Sequence, residues 1–296
     1  MNSKQLNFFA SLGLISTAAI WGFAFVVVKD SLDFVPPVYM TAIRFAIAGV
    51  VLAVILNRRL FVINKNYILH GIFTGFLLGM GYITQTIGCN FTTAGKNAFL
   101  TTVYVILIPL ISWPLNKKRP GFVVFASAIM ALAGIGLLAL RHETGGGFSM
   151  NFGDIMTLIC GVFYALHIIF TARLGKDKNM LVFTVLQFLT ASVLAWLCAP
   201  FFDGALPLRD LAQSKVIVSM LYLGLFSSLV AFSLQNICLK YMESSLASLF
   251  LSLESVFGVL FSAVFLKERM SAIMIAGCVL IFAAITIAEQ FKPKEK

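Results

Sequence analysis

Charge is what this 296-residue chain has least of. Asp, Glu, Lys and Arg make up 11% of it, against roughly 25% in an ordinary soluble domain, while apolar residues make up 60%. So few charges cannot clothe a globule of this size in hydrated surface. That excludes a soluble enzyme or binding domain and leaves a chain whose solvent is mostly lipid. Acid is the scarcer sign, with 12 Asp and Glu against 22 Lys and Arg, for a net charge of +10. The basic residues fall mainly in short connections between apolar runs. They read as loops that hold a membrane topology, so no nucleic-acid partner is expected. Cysteine is also sparse. Cys89, Cys160, Cys198, Cys238 and Cys278 all lie in apolar segments, with no CxxC pair, and read as small core residues rather than disulfides or ligands. His70, His142 and His167 are scattered, so no metal site is expected. The sequence has no HExxH, GxSxG, P-loop or dinucleotide fingerprint and no loop long enough to hold a nucleotide domain. Neither an enzyme nor a cofactor is expected.

What is present is a series of long apolar runs. At about 20 residues per membrane span, the segments are 7–28, 36–56, 68–89, 94–115, 121–141, 152–173, 180–201, 214–236, 244–266 and 270–290. They are too long and too uniformly apolar for barrel strands, so the fold class is an all-α polytopic membrane protein of ten transmembrane helices. The N-terminal run has Lys4 before it and lacks a small-residue cleavage site; it reads as the first span rather than a signal peptide. With the N-terminus in the cytoplasm, 14 Lys and Arg lie in inside segments and 7 in outside ones, with Arg44 within a span. That bias places both termini inside the cell membrane.

The sequence also repeats itself. At an offset of 150, Gln85 falls on Gln235, Ser112 on Ser262, Lys117 on Lys267 and Arg119 on Arg269. Gly81-Tyr-Ile-Thr-Gln-Thr-Ile87 reads against Ala231-Phe-Ser-Leu-Gln-Asn-Ile237, and Val38-Tyr-Met-Thr-Ala-Ile-Arg-Phe45 against Leu181-Val-Phe-Thr-Val-Leu-Gln-Phe188. The halves, 1–145 and 146–296, join near the Gly-rich stretch 141–148. Five spans per half force the second copy to enter upside down. Two inverted five-helix repeats follow, with a working site expected between them. Inversion also explains why Lys267 and Arg269 defy the charge bias.

Polar residues within the spans are the site candidates. Arg44 lies about eight residues into its span and Glu254 about ten, or roughly 12 and 15 Å deep at 1.5 Å per residue. A charge at that depth costs at least about 2.5–3.5 kcal/mol, so each needs water or a partner. They are open to a structural reading, including pairing with each other, and to a functional one. Their repeat mates are uncharged: Gln187 for Arg44 and Tyr104 for Glu254. This broken symmetry suggests a cavity basic on one side and acidic on the other. Gln85 and Gln235 serve either interhelical hydrogen bonding or cavity lining. Trp21, Tyr164 and His167 are second candidates, each equally readable as packing. Asn97, Thr101 and Tyr104 make a polar face on the fourth span, as Ser248, Ser252 and Glu254 do on the ninth. Gly71, Gly75 and Gly79 form a small-residue face for close helix packing, and Pro109 is expected to bend the fourth span.

Several of these stretches resemble a known family. Ile20-Trp-Gly-Phe-Ala-Phe-Val-Val-Val-Lys29, Arg44-Phe-Ala-Ile-Ala-Gly49, Gly81-Tyr-Ile-Thr-Gln85, Ala98-Phe-Leu-Thr-Thr-Val-Tyr-Val-Ile-Leu-Ile-Pro109 and Phe265-Leu-Lys-Glu-Arg269 look like EamA-type members of the drug/metabolite transporter superfamily. The resemblance covers essentially the whole chain. It implies ten helices in two inverted repeats, a central substrate cavity, and export of small metabolites such as amino acids. One departure stands out: Ser255 follows Glu254 where many members carry proline, so a proline-type helix break is not expected there.

The expected function is therefore a secondary transporter, exporting small organic solutes by alternating access, with protons as a further candidate partner. The expected substrate contacts are Arg44, Gln85, Tyr104, Gln187, Gln235 and Glu254, followed by Trp21, Tyr164 and His167. The alternative is a non-transporting receptor or subunit built on the same fold. Substrate identity and oligomeric state are not legible in the sequence.

Overall fold

The computed structural model describes residues 3–92, 94–117, 119, 121–139, 150–265 and 272–290. The Gly-rich stretch at 141–148 and the basic cluster Lys267–Arg269 lie outside them. The described residues contain no β-strand.

The helices follow the apolar runs: α1 (Ser3–Ser31), α2 (Pro37–Leu56), α3 (Lys65–Phe91), α4 (Ala94–Thr101), α5 (Tyr104–Asn116), α6 (Phe122–Ala139), α7 (Phe152–Leu174), α8 (Met180–Phe202), a short α9 (Leu208–Leu211), α10 (Ser214–Leu221), a π-helical segment (Tyr222–Val230), α11 (Ala231–Cys238), α12 (Ser244–Leu251), α13 (Leu253–Phe265) and α14 (Ala272–Gln290). Seven helical stretches are long and apolar enough to cross a membrane, and three shorter apolar helices bring the total to ten. Polar residues mark where the apolar runs begin. Asn64 Oδ1 accepts from the N–H groups of Asn66 and Tyr67 at the start of α3. Asn151 and Asp154 form a reciprocal capping box at the start of α7. Helix α2 opens on Pro37 and has no cap of its own. Asp203, just past the end of α8, supplies one instead: its Oδ2 accepts from Val38 N and Tyr39 N, both at 2.8 Å. Burial pushes the Asp203 carboxyl above its usual range, opposed by these two N–H donors.

Packing follows a two-fold scheme. Spans two and seven meet each other (α2 on α8), as do spans five and ten (α6 on α14). Span three packs on span six (α3 on α7), and span eight packs correspondingly on span one (α1 against the π segment and α11). The glycine face of α3 is what brings α3 onto α8. A Cβ at Gly71 would sit 2.6 Å from Leu186 Cβ, and one at Gly75 would sit 2.9 Å from Gln187 Cα.

Two spans differ from the expectation of continuous helices. The fourth breaks at Thr102–Val103, and the ninth breaks at Ser252. These breaks are repeat mates, since 102 and 252 are 150 apart. Neither coincides with a proline: Pro109 sits inside α5, seven residues beyond its break. The bend expected at Pro109 is thus a break displaced toward the N-terminus of the span. The break in the ninth span forms without the proline that Ser255 replaces. At that break Ser252 Oγ donates to Leu249 O at 2.6 Å, and Ser255 N reaches only three residues back to Ser252 O, so a side chain competes for a carbonyl where the ladder tightens.

Candidate functional site

Between the halves lies a cavity. It is lined by spans one to four from the first half and six, eight and nine from the second. Eight of the nine candidate residues line it: Arg44, Gln85, Tyr104, Gln235 and Glu254, with Trp21, Tyr164 and His167. The ninth, Gln187, does not. Its amide is spent in a buried network, donating to Thr74 Oγ1 and Thr171 Oγ1 at 3.0 Å each and accepting from Asn236 Nδ2 at 2.8 Å. The place of Gln187 in the structure is therefore interhelical bonding, one of the two uses a membrane-buried amide has.

An aromatic cluster surrounds the two-fold relation. Phe45 meets its mate Phe188 at a centroid distance of 5.6 Å, and Tyr82 meets its mate Phe232 at 5.6 Å. Trp21 lies against Phe232 at 4.7 Å, and the corresponding residue of the other half, Tyr164, lies against Tyr82 at 5.5 Å. The hydroxyl pair Thr41–Thr86, at 3.4 Å, is matched by Thr184–Asn236 at 2.9 Å. The rings contribute mainly apolar burial and offset contacts of about 0.5–1.5 kcal/mol each.

Arg44 enters this cluster from α2. Its Nε donates to Ser228 Oγ at 2.9 Å and its Nη2 to Ser227 Oγ at 2.7 Å, and its guanidinium carbon lies 4.5 Å from the Tyr82 ring centre. The two serines are adjacent in sequence. The π turn that carries them widens the helix, a device common at functional positions. Trp21 Nε1 donates to Ser227 O at 2.9 Å and fastens α1 to the same turn. A guanidinium keeps its charge in any protein environment and has five N–H donors. Two of them are used here, and both acceptors are neutral.

Glu254 stands two residues past the break in the ninth span, as its mate Tyr104 does in the fourth. The Tyr104 hydroxyl donates to Glu254 Oε1 at 3.2 Å. Arg44 and Glu254 do not pair within 4.0 Å, and the exposed ion pair Lys215–Asp30 involves neither. The structure thus keeps a buried cation and a buried carboxyl in one cavity, each on neutral partners. Gln85 is fixed by its Nε2 donating to Thr101 Oγ1 at 3.3 Å and its Oε1 accepting from Tyr164 OH at 2.9 Å. Gln235 Nε2 reaches Asn236 Oδ1 at 3.4 Å. Two buried polar atoms of lining residues, Asn97 Oδ1 and His167 Nε2, have no protein partner. No group of three or more His, Cys, Asp or Glu that could hold a metal occurs among the described residues.

Sequence reasoning overlooked Tyr82, Phe232 and the serine pair. Tyr82 and Phe232 were detectable, since both fall in the repeated stretch three residues before the matched glutamines. Ser227 and Ser228 gave no signal, because two serines in an apolar run look like packing until the π turn brings them together.

A model of the EamA-like transporter family matches residues 8–140 and again 151–289. An uncharacterized transporter of Archaeoglobus fulgidus is 33% identical over 279 residues, 94% of this chain and 85% of that protein. The uncharacterized transporter YoaV of Bacillus subtilis is 25% identical, over 93% of this chain and 94% of its own. The uncharacterized inner membrane transporter YedA of Escherichia coli K12 is 24% identical, over 93% and 89%. A solved crystal structure has the same fold at a TM-score of 0.79 and 21% identity, covering 96% of this chain and 99% of that one.

Proposed function

The chain belongs to the EamA-like transporter family, and from that premise we propose that it exports small zwitterionic metabolites, amino acids or their relatives, by alternating access. The observation that carries this reading is the separation of Arg44 and Glu254. Two buried ionisable groups share a cavity, bonded to neutral hydroxyls and not to each other. Leaving a buried charge without its counterion is costly, so the arrangement favours a ligand that brings both counterions. A substrate carboxylate would take the free guanidinium donors. A substrate ammonium, or a proton in its absence, would take Glu254. The aromatic residues between them suit an apolar side chain.

Each half, 1–145 and 146–296, would act as one repeat, with the cell membrane as location and both termini cytoplasmic. The paired breaks at Thr102 and Ser252 supply two points where a span can change its angle while the outer half-helices keep their packing. The test is flux: liposomes containing the purified protein and loaded with a labelled apolar amino acid should release it faster than protein-free liposomes loaded alike. Saturable binding without accelerated release would overturn transport in favour of a receptor.

A further inference from the structure

Resting on the transport reading above, we infer that Asn97 is a specificity-determining residue: its amide oxygen accepts from an N–H of the substrate's ammonium group, alongside the Glu254 carboxylate.

Asn97 lies on α4, is fully buried and lines the cavity. Its amide orientation is fixed by chemistry. Nδ2 donates to Gln85 O at 3.1 Å and to Thr157 Oγ1 at 2.8 Å. Gln85 O is a carbonyl and can only accept. Thr157 Oγ1 spends its own hydrogen on Gly153 O at 2.7 Å, so toward Asn97 it too must accept. Both N–H donors are therefore committed. What Asn97 has left for the cavity is Oδ1, which has no protein partner.

A buried acceptor held rigidly by two bonds and left unused calls for a donor from outside the protein. One structural polar contact is duplicated between the halves, Thr41–Thr86 matching Thr184–Asn236. Asn97 is not: its repeat mate is Ala247. The α4 helix packs on α13, which carries Glu254, and both acceptors line the one cavity. Arg44, on α2, is the donor that lines it with them. A group with both positive charge and N–H bonds satisfies the two acceptors. A quaternary ammonium satisfies only the charge.

The experiment compares isoamylamine with its N,N,N-trimethyl analogue as probes of the purified protein, reading thermal stabilisation across ligand concentration. The wild type should bind the primary amine more tightly. N97L should weaken the amine by roughly tenfold or more, the value of one hydrogen bond to a charged donor, and leave the trimethyl analogue unchanged. N97A removes the acceptor without adding bulk, so it should weaken the amine likewise and leave the trimethyl analogue unchanged. It serves if N97L fails to fold. Amine affinity in N97L or N97A equal to that of the wild type, or a wild type indifferent to the N–H bonds, would each overturn the inference. Flux of labelled leucine through liposomes separates the two readings. Asn97-dependent binding without flux overturns transport and leaves this inference standing, whereas flux with binding indifferent to Asn97 does the reverse.

Discussion

Replacing Arg44 by glutamine gives the second span the side chain that its repeat mate, Gln187, already has. The change removes a charge that is only 3% exposed, two hydrogen bonds to serine hydroxyls, and a cation–π contact with Tyr82. For the fold these terms nearly offset. The cation–π contact is worth about 2 kcal/mol when desolvated, but removing a buried charge returns a desolvation cost of several kcal/mol. The thermal midpoint should hold or rise. For a carboxylate ligand the terms do not offset. Truncating one partner of a buried, hydrogen-bonded charge pair costs about 2–5 kcal/mol, and the glutamine amide recovers one neutral hydrogen bond of about 1 kcal/mol. The net of about 1–4 kcal/mol is a five- to thousandfold loss of affinity. The assay is paired: leucine, and isoamylamine, which is leucine without its carboxylate. R44Q should lose leucine binding and leucine flux while binding isoamylamine as wild type does. Arg44→Lys keeps the charge but not the planar fork, and should fall between the two. If R44Q binds leucine as the wild type does, or loses both ligands equally, the carboxylate assignment is wrong.

Other expectations follow from the same geometry. Glu254→Gln still accepts from Tyr104 but has no charge; liposome flux of an amine or amino acid should fall at least tenfold while the thermal midpoint is unchanged or higher, and normal flux would refute the role of Glu254. Gly75→Ala puts a Cβ 2.9 Å from Gln187 Cα and 2.7 Å from Thr190 Cβ; overpacking of about 1–3 kcal/mol should lower the melting midpoint by several degrees, measured in detergent. Asp203→Asn keeps an oxygen for Val38 N and Tyr39 N, whereas Asp203→Ala loses the cap at about 1 kcal/mol. Burial raises the Asp203 carboxyl above its ordinary 3.8. Its contribution to stability is therefore greatest below that value and is lost as pH rises through the raised one. Thermal melts across that window should fall more steeply with pH in the wild type than in D203N.

The fold was legible because membrane solvation leaves a short menu. Runs of about 20 apolar residues become helices, and, run ends aside, the described residues of the ten runs are helical apart from the breaks in the fourth and ninth. The site was legible for a related reason: Arg44 and Glu254 are expensive in an apolar run, and eight of the nine candidates line one cavity. Gln187 shows where the reasoning stops. Sequence cannot distinguish a glutamine facing space from one facing Thr74 and Asn236. The helix breaks were illegible because proline was taken as the breaker, and neither break falls on one.

The matched aromatic pairs have a thermodynamic consequence. A carrier that opens to either side by letting its halves exchange roles has two end states related by the two-fold axis. In a chain of two identical halves those states would have equal energy, and neither opening would be preferred. Phe45 with Phe188 contributes nothing to such a preference, since exchange returns the same pair. Any resting bias must come from positions where exchange changes the chemistry, among them Arg44 against Gln187, Tyr104 against Glu254, Asn97 against Ala247 and Tyr82 against Phe232. Such positions act as the weights on a balance whose two arms share one architecture.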